Sequence, residues 1–202
     1  MTKADPPPAY KFKIVLLGSF GVGKTSLTRR FIEDTFSEEY KSTLGVDIKY
    51  RVMTIDGTTV SLTVWDPEGI NEHNPYPKDV YIKGAHGFLV VSDGTREKTL
   101  DLSLELNKDL QERNRVKRDI QEKFATIPFF VVVNKCDLIE QWKFADEEIE
   151  QLQNTFLKQE GVKDISERRL LKTSAKSGQN VEDAFRELVR QILKNYERYR
   201  KP

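Results

Sequence analysis

The run Gly18-Ser19-Phe20-Gly21-Val22-Gly23-Lys24-Thr25 puts a tight, glycine-rich turn directly before a lysine and a hydroxyl. Glycine lets the backbone close around a small anion with its N–H groups facing inward. An apolar run, Ile14-Val15-Leu16-Leu17, precedes the turn, and a helix-like stretch, Leu27-Thr28-Arg29-Arg30-Phe31-Ile32, follows it. The spacing G-x-x-x-x-G-K-[ST] in that strand–loop–helix setting is a phosphate-binding loop, whose amides and helix dipole receive the charge. Gly18, Phe20, Gly21, Val22, Gly23 and Ser26 are therefore assigned to the nucleotide-binding loop. Lys24 is expected on the β and γ phosphates, and the Thr25 hydroxyl on Mg²⁺.

Further segments lie where such a site needs them. Asp66-Pro67-Glu68-Gly69 follows a strand-like run; its aspartate suits the Mg²⁺ shell and its glycine N–H a γ-phosphate. Thr43-Leu44-Gly45 occupies a polar loop from which a mobile hydroxyl completes the metal coordination, so the expected metal set is Thr25, Thr43 and Asp66. Lys24, Thr43 and Gly69 are the residues expected to act on the reacting phosphate. Asn134-Lys135-Cys136-Asp137 and Thr173-Ser174-Ala175-Lys176 each close a strand. Most of these segments fall at the carboxyl ends of strands, where α/β sheets bind ligands.

The elements that must position them alternate. Strands are predicted over 11–17, 46–55, 59–65, 87–92, 128–133 and 170–173, with Asp56-Gly57 as the turn of a hairpin. Helices are predicted over 24–33, 100–124 and 146–159, the last capped by Asp146, and from Asn180 to about residue 199. The alternation predicts an α/β fold: a six-stranded, mostly parallel sheet with one antiparallel edge strand and helices on both faces. The domain is expected over residues 11–195, between a Pro-rich disordered tail (1–10) and a basic tail (196–202).

Taken together, these motifs resemble the small Ras-like GTPases, most closely the Rab group, from about Lys11 to about Leu193. Ser42-Thr43-Leu44-Gly45-Val46-Asp47 resembles the Rab switch I signature, and Lys83-Gly84-Ala85-His86-Gly87 the segment after switch II. The resemblance implies a P-loop GTP/GDP switch with Mg²⁺. It places Asp137 on the guanine edge, with Asn134 orienting the loop and the Lys135 stem over the base. The Ala175 N–H would meet the guanine carbonyl, within a base-binding segment Ser174, Ala175 and Lys176. Phe36 matches the family's base-packing aromatic, with ordinary core packing as the alternative. The resemblance also implies effectors, exchange factors and GTPase-activating proteins meeting loops 36–48 and 66–82, and a monomeric, cytoplasmic protein peripheral on endomembranes.

The chain departs from that pattern where hydrolysis is performed. Ile70 stands where the family carries the glutamine that orients the attacking water; Asn71, Glu72 and His73 are the nearest polar replacements. Phe20 replaces a small residue and is expected to crowd the γ-phosphate and block an incoming arginine finger. Pro67, Pro75 and Pro77 predict an irregular, stiff switch II, one residue longer than usual. Trp65 and Tyr81 keep two of the partner-surface aromatics, but Ile48 replaces the third. The expected enzyme is therefore a slow GTPase, with a non-hydrolysing guanine-nucleotide scaffold as the alternative.

Composition sets the remaining bounds. A net charge of +1 over 202 residues gives no bulk attraction to nucleic acid. The single cysteine, Cys136, excludes a disulfide framework. The stretch Arg113-Asn114-Arg115-Val116-Lys117-Arg118 sits among acidic residues and reads as a solvated helix face. The C-terminal Tyr199-Arg200-Lys201-Pro202 has no cysteine for prenylation, and Thr2 excludes N-myristoylation, so membrane residence is expected only through a partner or a missing lipid anchor.

Overall fold

The computed structural model describes residues 7–39, 42–71, 76–118, 127–159 and 169–200. Its elements run β1 (Tyr10–Leu17), α1 (Lys24–Glu33), β2 (Val46–Ile55), β3 (Thr58–Pro67), α2 (Asp79–Ile82), β4 (Gly87–Asp93), α3 (Lys98–Arg118), β5 (Phe129–Asn134), α4 (Asp146–Gln159), β6 (Leu170–Lys172) and α5 (Val181–Arg200). A single 3₁₀ turn, Ile139–Gln141, lies between β5 and α4.

The strands form one six-stranded sheet in the order β2-β3-β1-β4-β5-β6. All neighbours pair in parallel except β2 with β3, so the antiparallel edge expected from the hairpin is present. The hairpin closes through Asp56 and Gly57, both at positive φ (47° and 82°), the geometry that matches the twist of two-residue hairpins.

Strand periodicity sorts the core into two layers. Phe12, Ile14 and Leu16 of β1 face one side, where α1 and α5 supply Leu27, Phe31, Phe185, Leu188 and Ile192. Val15 and Leu17 face the other, packed with Ile82, Leu100, Leu106, Leu110, Ile149 and Phe156 from α2, α3 and α4. β4 and β5 are buried on both faces, which is why they read as unbroken apolar runs.

Several expectations need correction. Ala9 and Tyr10 belong to the sheet rather than a tail: the Ala9 N–H donates to the Thr59 carbonyl at 2.8 Å, and Tyr10 pairs with Val60. Residues 1–6 lie outside the described chain. Residues 196–200 of the expected basic tail instead end α5, where Tyr196 packs edge-on to Phe12 at 5.6 Å; residues 201–202 lie outside the described chain. Ala145, not Asp146, caps α4: its carbonyl accepts the Ile149 N–H at 3.3 Å, and its own N–H donates to Glu148 at 2.7 Å. Asn180 does cap α5, as expected: its carbonyl accepts the Ala184 N–H at 3.1 Å, while its side-chain amide donates to the Lys172 carbonyl at 2.8 Å. The end of the predicted helix 100–124 falls partly outside the described residues, as do the side chains of 113–118.

α5 is fixed to α1 by a ring stack, Phe31 on Phe185, with centroids 3.8 Å apart and Phe185 fully buried. Phe185→Ala is expected to cost about 3–5 kcal/mol, read as a lowered urea midpoint at unchanged m-value.

Candidate functional site

Loops from the carboxyl ends of β1, β5 and β6 meet the loop after α1 and the turn after β3 around a cavity of about 340 Å³. Gly23, at the N-terminus of α1, has φ 98°, and a Cβ there would stand 2.3 Å from the Asn134 amide. Only glycine serves that position. Among the described residues, the N–H groups of Gly21, Val22 and Gly23 donate to no backbone carbonyl, leaving a row of amides for an anion.

Lys24 is buried, and its Nζ donates to the carbonyls of Gly18 and Ser19, each at 3.0 Å. Burial pulls its pKa down to about 8, against the nearby Asp66 charge. Burial pushes Asp66 up to about 6, against the Thr25 hydrogen bond and the Lys24 charge. Each group is thus a desolvated charge: a phosphate beside Lys24, or a cation beside Asp66, restores the lost stabilisation.

The Thr25 hydroxyl links Thr43 (2.8 Å) to Asp66 Oδ2 (2.5 Å), while Asp66 Oδ1 is buried with no hydrogen-bond partner among the described residues. Converging hydroxyls and a carboxylate with an orphaned oxygen fit a hard, oxygen-seeking cation such as Mg²⁺.

The base end is built from crossed hydrogen bonds. The Asn134 amide donates to the Val22 carbonyl at 3.0 Å, and its oxygen accepts the Ala175 N–H at 3.2 Å. Arg30 of α1 donates to the carbonyls of Ala175 and Lys176 at 2.9 and 2.8 Å. Asp137 lines the cavity, and one of its oxygens accepts the Ser174 hydroxyl at 2.6 Å.

Of the residues expected from sequence, Phe20, Gly21, Gly23, Lys24, Thr25, Ser26, Phe36, Thr43, Gly69, Asn134, Lys135, Asp137, Ala175 and Lys176 line the cavity. Gly18, Val22 and Ser174 support it from behind: the first two lend carbonyls to Lys24 and Asn134, and the third holds Asp137. The Ala175 N–H, expected on a guanine carbonyl, is engaged by Asn134. Phe36 lines the cavity while packing on the α1/α5 core.

The sequence did not point to Arg30 or to the Glu38–Lys176 ion pair at 2.8 Å, both residues of which line the cavity. An arginine or an acidic residue carries no positional signal until its distant partner is folded beside it: 145 and 146 residues away for Arg30, 138 for Glu38.

Ile70 lies 7% exposed among Val15, Leu17, Ala85 and Phe88. Its backbone bridges to the phosphate loop: the Ile70 N–H donates to Gly18 (3.0 Å), and its carbonyl accepts the Phe20 N–H (3.1 Å). Gly69 permits this approach, since a Cβ there would fall 2.6 Å from the Phe20 Cα. Glu72, His73 and Pro75 lie outside the described residues. The described part of switch II is irregular, as expected: α2 holds four residues, and Pro67 ends β3.

A sequence model of the Ras family matches residues 13–194. The chain belongs to the Ras family. It is similar to Ras-related protein Rab-8B of Homo sapiens, 34% identical over 184 residues, 91% of this chain and 79% of that protein. Ras-related protein Rab-13 of Mesocricetus auratus is 36% identical over 182 residues, covering 90% and 80%. Ras-related protein Rab-8 of Diplobatis ommata is 35% identical over 184 residues, covering 91% and 78%. The Rab-like resemblance and the α/β P-loop fold are thus both shown, and Ras-family GTPases bind guanine nucleotide, generally with Mg²⁺.

For this Rab-like chain, Asp137 is the residue expected to accept the N1–H and 2-amino donors of guanine. Removing the 2-amino group from the ligand leaves that carboxylate under-satisfied. The protein is expected to prefer GTP over inosine triphosphate by about 10²-fold, and Asp137→Ala to bind both weakly and alike, measured by competition against a fluorescent GDP.

Proposed function

We propose that this protein is a Rab-like GTP/GDP switch in membrane trafficking whose own hydrolysis of GTP is slow. The observation that carries the reading is the placement of Ile70. Its side chain packs in the apolar layer under β1 and β4, and it has no group that hydrogen-bonds water. In this reading Lys24 and the Gly69 N–H, both of residues that line the cavity, would take up charge developing on the terminal phosphate. Bound Mg²⁺, held through Thr25, Thr43 and Asp66, would neutralise the phosphates. Water orientation is the step left unassigned, so a partner protein that supplies the missing group is the expected route to fast turnover.

A second reading, a guanine-nucleotide scaffold, draws on the Ile70–phosphate loop bridge. Those two backbone hydrogen bonds need no γ-phosphate, so the start of switch II is held by the protein itself. A guanine-nucleotide switch works by letting such a loop go. Amide exchange of residues 66–82 separates the readings: protection that differs between GDP and a non-hydrolysable GTP analogue supports the switch, and equal protection the scaffold.

Single-turnover hydrolysis on the preloaded, Mg²⁺-bound protein tests the rate, expected below about 10⁻⁴ s⁻¹. Ile70→Gln is expected to raise it roughly tenfold or more while costing about 1–3 kcal/mol of stability from the newly buried amide. An unchanged rate in both Ile70→Gln and its combination with Phe20→Ser overturns the role given to Ile70.

A further inference from the structure

Arg96, in the loop between β4 and α3, is absorbed by none of the roles above. Its Nε donates to Asp93 Oδ2 at 2.9 Å, and its NH2 group donates to the Phe20 carbonyl at 3.1 Å. Asp93 is 1% exposed at its side chain and holds Lys135 through the same oxygen, at 2.7 Å. Its other oxygen accepts both the N–H and the hydroxyl of Thr95, at 3.0 and 2.8 Å. One buried carboxylate therefore grips the phosphate loop through Arg96 and the base loop through Lys135.

A trans peptide is planar, with its C=O and N–H pointing in opposite directions. Fixing the Phe20 carbonyl on Arg96 therefore turns the N–H of the same peptide, that of Gly21, away from the guanidinium. Gly21 lines the cavity, and among the described residues its N–H meets no backbone acceptor. Glycine at 21, with φ 73°, tolerates either orientation of this peptide, so the peptide needs an external hold. Gly69 abuts the backbone of Phe20, which puts the peptide at the terminal-phosphate end of the cavity, away from the base loop.

We propose that Arg96 is a positioning residue for nucleotide binding, which locks the Phe20–Gly21 peptide with its N–H available to the phosphates beyond the first, and that Asp93 couples this lock to Lys135. The inference rests on the guanine-nucleotide reading of the site. Arg96 itself touches no nucleotide; its effect is carried by the amide it orients.

The test is the affinity of the full chain for GDP and for guanosine 5′-monophosphate, both measured by displacement of a fluorescent GDP. Arg96→Ala is expected to weaken GDP roughly tenfold, the size of a hydrogen bond to a half-exposed charged group, and guanosine monophosphate less than about twofold, since that ligand lacks the outer phosphates. Arg96→Gln, which keeps side-chain length but loses the charged fork, should follow Arg96→Ala. Asp93→Asn, which loosens both loops, should weaken both ligands. Unchanged GDP affinity in Arg96→Ala and Arg96→Gln overturns the proposal, as does an equal loss for the two ligands, which would mark general loosening of the fold. Failure of the unmutated protein to bind fluorescent GDP would instead refute the guanine-nucleotide reading, and it is scored before any variant.

Discussion

Two buried charges, the Lys24 ammonium and the Asp66 carboxylate, constrain the whole of this structure. Lys24 opens α1 and Asp66 lies near the end of β3, both removed from water, and burial disfavours the charged form of both. Among the described residues, the Lys24 ammonium is satisfied by two carbonyls of its own loop, and one oxygen of Asp66 has no partner. Such an arrangement is costly until a polyanion and a cation arrive together. The fold around it is built to hold that geometry open: the glycines turn the loop, β1 and β3 are locked side by side in parallel register, and Thr25 bridges Asp66 to Thr43.

The cavity is held as a single object by bonds that cross between loops distant in sequence. Asn134 joins the phosphate loop to the loop after β6, Arg30 holds that same loop from α1, and Asp93 joins Arg96 to Lys135. These side chains act mostly on backbone carbonyls and amides. The backbone of the cavity loops is therefore held by side chains that cross between them. Gly18, Val22 and Ser174 belong to this supporting layer rather than to the lining.

Ile70 shows how one substitution joins stability and chemistry. In an apolar layer its side chain needs no hydrogen-bond partner, and its backbone closes a bridge onto the phosphate loop. Phe20, 48% exposed, lines the cavity, and its backbone abuts Gly69. Two of the residues that depart from the family pattern, Phe20 and Ile70, thus meet through their backbones beside Gly69.

The sequence by itself determined the sheet, its single antiparallel edge and most of the cavity lining. Periodicity reports burial directly, and glycine, lysine and hydroxyl at fixed offsets leave a phosphate loop few other conformations. Its errors were at ends and caps. Asp146 was a plausible cap by residue type, but the cap goes to the residue whose carbonyl closes the first helical turn, and that is Ala145. Tyr10 and Tyr196 looked like tail residues because nothing local shows that their rings meet between β1 and α5, 5.6 Å apart. Only the tertiary structure decided the direction of Ile70, the engagement of the Ala175 amide by Asn134, and the placement of Arg96 on Phe20. Each is a contact between segments far apart in the chain, where a residue's type sets what it can bond but only the folded backbone sets what lies within reach.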